Sequence, residues 1–139
     1  VSIGAEQPLS PPRDRAAASD LVSVTVDRTP AHLTDMLQFV RELRQLATGQ
    51  TATEFASNRI LCLAVEKLFI NLGEAAFRVG EVRAGAMPDI PWRRIIGLRN
   101  LLAHGYEQVA HEVLFKTIAE DLPALESALV RWVDRLETT

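Results

Sequence analysis

From Leu33 onward the apolar side chains return every three or four residues. Leu33, Met36, Leu37, Val40, Leu43 and Ala47 follow the spacing of one helix face. Thr29-Pro30 supplies a cap and a first-turn proline at the start of that helix, and Gly49 closes it. A second helix is predicted from about Thr53 to Val79. Its middle, Ile60 to Leu72, is apolar nearly all round apart from Glu66, Lys67 and Asn71, as expected of a central bundle helix buried on several sides. Gly73, Ala75 and Ala76 thin its later turns so that a neighbour can come close. Residues 80–91 read as a loop, punctuated by Gly80, Gly85, Pro88 and Pro91. A third helix starts after Pro91 and runs to about Ala103, with Gly105 as its C-terminal stop. The last helical stretch, from near Ala110 to Leu136, is bent or broken at Pro123 and buries Leu125, Leu129, Trp132, Val133 and Leu136. No run reads as a core strand. The fold class is all-α: an up-and-down bundle of four to five helices.

Residues 1–28 do not share this pattern. Pro8, Pro11 and Pro12 interrupt any helix, and Leu21, Val22, Val24 and Val26 make at most one short strand, which is not stable alone. They are read as a flexible extension, or as sequence upstream of the true start, before a domain at 29–139.

Composition narrows the classes. The chain has 139 residues, 47% apolar and 24% charged, enough for one domain with its own core and no need of disulfide or metal staples. The single cysteine, Cys62, lies in an apolar run and is expected to be a buried small hydrophobe. A net charge of −3 argues against a protein that coats nucleic acid non-specifically, although one local arginine cluster can still hold a phosphate. No stretch is apolar enough to cross a bilayer and the N-terminus has no signal-peptide core, so the expected compartment is the cytoplasm.

Between Ile90 and Tyr106 there are three arginines (Arg93, Arg94, Arg99) and one histidine, but no acid. The third helix therefore carries a local positive field in an acidic chain. Asn100 and His104, four apart, share a helix face; Arg99 lies about 100° round; and Tyr106 follows just past Gly105. Histidine, asparagine and arginine at a helix end also serve simply as caps for frayed carbonyls, and periodicity alone does not separate the two roles. Glu74, expected to be partly buried, needs a partner, and Arg99 is the expected one. Glu66, two turns earlier on the same face, is read as structural. His32 and His111 are read as surface or capping residues, and Trp92 as a packing anchor. No His/Cys/Asp cluster has metal-ligand spacing and no glycine-rich phosphate loop is present. No cofactor is expected.

The stretch Ile90-Pro-Trp-Arg-Arg-Ile-Ile-Gly-Leu-Arg-Asn-Leu-Leu-Ala-His-Gly-Tyr106 resembles the signature of the HepT-like proteins of the HEPN superfamily, in which an Arg, often followed by Asn, precedes a His by four to six residues. Ala64-Val-Glu-Lys67, Asn71-Leu-Gly-Glu-Ala-Ala76 and Glu120-Asp-Leu-Pro-Ala-Leu125 extend the resemblance over roughly residues 30–137. It implies a helical homodimer with the two motifs facing one cleft. It also implies a metal-independent endoribonuclease, acting as a toxin beside a small nucleotidyltransferase antitoxin of the MNT type. Arg99, Asn100 and His104 would be catalytic, and Tyr106 the residue to which the partner attaches AMP. The residue types suit the reaction: histidine titrates near neutrality and serves acid–base catalysis, while arginine offers a bidentate fork to phosphoryl oxygens. The alternative is a catalytically quiet helical module that binds a nucleotidyltransferase.

Overall fold

The structure, a computed structural model, describes residues 27–105 and 109–138. Seven helices run in order among these residues: α1 (Thr29–Ala47), α2 (Ala52–Ser57), α3 (Arg59–Val79), α4 (Glu81–Gly85), α5 (Trp92–His104), α6 (His111–Glu120) and α7 (Leu122–Glu137). Five of them have ten or more residues and form the bundle; α2 and α4 are short connectors. No strand occurs among the described residues.

Asp27 starts the fold. Its Oδ1 accepts the backbone N–H of Thr29 at 3.0 Å, a bond that holds its carboxyl below the usual carboxylate range. Pro30 then sits in the first turn of α1, where its missing N–H costs nothing. The predicted stripe is the core: Leu33, Met36, Val40 and Leu43 are wholly buried. α1 packs against α3, α6 and α7, and α3 in turn lies between α1 and α5.

The single helix expected over 53–79 is in fact two. Thr51 and Glu54 form a reciprocal capping box that starts α2. Asn58 then leaves helical geometry (φ −96°, ψ 97°), and its Oδ1 accepts the Leu61 N–H at 3.0 Å to begin α3. The break lets Phe55 turn inward, wholly buried and 5.3 Å from the Phe115 ring. The expected loop at 80–91 contains α4. The final stretch breaks at Asp121, which leaves Pro123 in the first turn of α7.

The second long helix is buried on several sides as expected, with Cys62, Val65, Phe69, Leu72 and Val79 in the core, but one side of it is open. Ile60 is 81% exposed and Phe77 67%, with Leu63 also exposed. α5 is likewise an outer helix. Ile95 is its one buried residue, because α3 supports it along a single side.

Candidate functional site

The site begins with a close helix crossing. At Gly73 of α3, an added Cβ would lie 2.1 Å from Arg99 Cβ and 3.2 Å from the Ile95 carbonyl oxygen. Only glycine lets α5 come so near, and the approach lays the stem of Arg99 directly across α3. One residue on, Glu74 Oε2 stands 3.7 Å from Arg99 Nη2, an ion pair with both side chains about one-third exposed. On the other edge of the guanidinium, Nη1 donates to Asn100 Oδ1 at 2.8 Å. Nε is buried with no hydrogen-bond partner. A buried donor without an acceptor is uncommon and costly, so the group is held by its surroundings rather than by saturation of its own donors.

His104 is the last residue of α5, five positions beyond Arg99, or about 7.5 Å along the axis. Gly105 closes the helix in the left-handed region (φ 69°), returning its N–H to the Leu101 carbonyl oxygen at 3.2 Å. Asn100 and His104 are both exposed. Glu74, Arg99 and Asn100 are thus directly connected, and His104 follows at the same helix end. Tyr106 lies outside the described residues.

The other sequence candidates fall elsewhere. Trp92 is a packing anchor, its Nε1 donating to the Met87 carbonyl oxygen at 3.0 Å. Cys62 donates to the Phe55 carbonyl oxygen at 3.2 Å, and burial pushes its thiol up, so it stays a neutral hydrophobe. Arg94 pairs with Asp121 at 3.0 Å. Sequence reasoning missed that Glu66 and His111 belong together: Glu66 Oε2 lies 2.6 Å from His111 Nε2, tying α3 to the start of α6. Forty-five residues separate the two, and no periodicity links them. Among the described residues no group of three or more His, Cys, Asp or Glu side chains is placed to hold a metal ion, and no helix is long and apolar enough to cross a membrane.

The profile of the Ribonuclease HepT-like proteins matches residues 36–131, a span that contains Gly73, Glu74, Arg99, Asn100 and His104. The chain belongs to the HepT-like ribonuclease family. One similar protein is "Putative RNase MJ1380" of Methanocaldococcus jannaschii, 28% identical over 69% of this chain and 88% of that protein. Another is "Probable ribonuclease HepT" of Thermococcus cleftensis, 27% identical over 68% of this chain and 86% of the relative. No solved structure matches the chain. Family membership supports a ribonuclease activity and RNA as its substrate.

Proposed function

We propose that this HepT-like protein is a metal-independent endoribonuclease in which Arg99, Asn100 and His104 act on one phosphodiester. The observation that carries the reading is the posture of Arg99, braced by Glu74 on one side and Asn100 on the other, one helix end away from an imidazole. A fixed guanidinium aimed at an exposed edge meets the charge that builds on phosphoryl oxygens without reorganising. The RNA supplies its own nucleophile: the 2′-OH attacks the adjacent phosphorus, the P–O2′ bond forms, and the P–O5′ bond breaks to leave a cyclic phosphate. His104 takes the 2′-OH proton or gives one to the departing 5′ oxygen. Glu74 is a positioning residue that acts through Arg99.

One chain presents a single such set, too sparse to surround a phosphate, and we place a second copy against it. Ile60 and Leu63 on α3 and Leu101 on α5 are exposed apolar side chains that a second copy could cover. Covering them would bring two motifs to one cleft. In this reading the protein is the toxin of a toxin–antitoxin pair, working in the cytoplasm. An MNT-type nucleotidyltransferase silences it by attaching AMP to Tyr106.

The test is cleavage of total RNA by purified protein in EDTA, with Arg99→Ala and His104→Ala beside wild type. Wild type is expected to cleave, and each variant to lose about a hundredfold or more at nearly unchanged melting temperature. Equal cleavage by wild type and both variants would overturn the assignment, and loss of wild-type activity in EDTA would overturn metal independence.

A further inference from the structure

On the side of α5 that carries Asn100, a groove of about 1120 Å³ runs between α3, α4 and α5. It is larger than the roughly 300–1,000 Å³ that hold single small ligands. Asn100 lies at one end, beside Arg99; Ile96, Trp92 and Arg93 follow along α5, and Phe77 forms the opposite wall. Two features distinguish it from an ordinary crevice. Arg93 is exposed and makes no ion pair or hydrogen bond among the described residues, whereas its neighbour Arg94 is neutralised by Asp121. Arg93 also sits in the first turn of its helix, where a cation works against the helix dipole, so its position is not explained by the stability of α5. Second, Phe77 presents a ring 67% exposed, while Trp92 is locked in place by Met87. The acid lining the groove, Glu81, lies on α4.

We infer that this groove is a track for single-stranded RNA, holding the nucleotides that flank the scissile phosphate. A base stacks on Phe77 and a flanking phosphate is met by Arg93. The inference rests on the ribonuclease reading above and extends it from the reacting phosphate to the length of substrate bound. A cation without a partner among the described residues and an exposed aromatic ring lining one groove, which reaches Asn100 of the proposed site, make the combination that binds single strands with little sequence preference.

The test uses a fluorescein-labelled twelve-nucleotide oligouridine, 2′-O-methylated throughout so that it cannot be cleaved, and follows its anisotropy across a salt series. Phe77→Ala is expected to weaken binding about 5- to 150-fold, the range for loss of one stacked base. Arg93→Ala is expected to weaken binding and to reduce the slope of log affinity against log salt by about 0.7, the signature of one lost phosphate contact. Arg93→Lys should restore the slope, which a merely structural role would not do. If both alanine variants bind with wild-type affinity and slope while wild type still cleaves RNA through Arg99 and His104, the track is wrong and the ribonuclease reading stands. If wild type neither binds the oligomer nor cleaves RNA, both fall. If Phe77→Asp converts a dimer to monomer while Arg93→Ala leaves binding intact, the groove is a protein interface and the inference is overturned.

Discussion

Gly73→Ala puts the geometry of the site to a direct test, because the perturbation is one methyl group placed against the stem of Arg99. The new Cβ would stand 2.1 Å from Arg99 Cβ and 2.7 Å from Arg99 Cγ. Packed carbons sit about 3.5–4.0 Å apart, so α5 must retreat from α3 by more than about 1 Å at the level of the motif. Neither contact can be relieved by a flexible tip, since both atoms lie close to the α5 backbone. Two terms oppose each other in stability. Alanine gains about 1 kcal/mol over glycine inside a helix, while overpacking costs about 1–3 kcal/mol. The net loss is therefore about 0–2 kcal/mol, a fall in melting temperature of no more than about 8 °C for a domain of this size. Activity is hit harder, because a displacement of about 1 Å at a reacting centre costs on the order of a hundredfold. Gly97→Ala on α5, where an added Cβ meets nothing within 4 Å, is the stability control and should raise the melting temperature. The assay is thermal melting beside cleavage of a fluorogenic RNA. If Gly73→Ala melts as high as Gly97→Ala and cleaves like wild type, α5 is not seated on Gly73 and the account of Arg99 fails.

Three further outcomes are expected. Asp89, through its bond from Trp132, and Glu126, through bonds from Arg41 and Arg44, are both held below the usual carboxylate range. Their stabilisation is therefore full above the unfolded carboxylate values near pH 4 and is lost as pH falls through the lower folded ones. Melting temperature should be flat above about pH 5 and drop below about pH 4, with Glu126→Gln blunting the acid limb; an unchanged limb in that variant would refute the role. Sedimentation of the wild type at micromolar concentration should show a dimer, and Leu63→Asp should give a folded monomer with little cleavage; a fully active wild-type monomer would refute the shared cleft. Tyr106→Phe should cleave RNA yet escape silencing by an MNT-type partner supplied with ATP, and equal neutralisation of both forms would mean simple masking.

The long elements were legible because each buries one stripe against the rest. Leu33, Met36, Val40 and Leu43 repeat as a buried helix face must, and all four are wholly buried. Gly105 was legible because a helix that stops at a left-handed residue favours glycine. The break at Asn58 was hidden, since a single asparagine inside a helical pattern is weak punctuation until its side chain is seen capping Leu61. The Glu74–Arg99 pair was anticipated from the need of a half-buried carboxylate for a partner, and the two stand 3.7 Å apart. Glu66 and His111 were each given a separate, bland role because nothing local joins α3 to α6. Which side of α3 stays exposed was hidden for a related reason: an apolar pattern nearly all round a helix does not say whether its last side is covered by the same chain or left open.

That open side and the position of α5 bear on each other. A helix meant only for stability would be wrapped by the bundle and would keep cations from its first turn. α5 instead rests on α3 along one side, buries Ile95 alone, begins with Trp92-Arg93-Arg94 and carries no acid along its length. It is held at the Gly73 crossing, by Ile95 and the partly buried Trp92, Ile96, Leu98 and Leu102 packed on the core, and by Met87 and Ile90, which are buried in the connection that leads into it. Those same anchors fix the rotation of the helix, and with it the direction in which Arg93, Asn100 and His104 face. The sparse support and the outward charge are thus two aspects of one arrangement. For the proposed ribonuclease site, a positive helix held in register by a close glycine contact would aim a guanidinium while leaving it open to a polyanion.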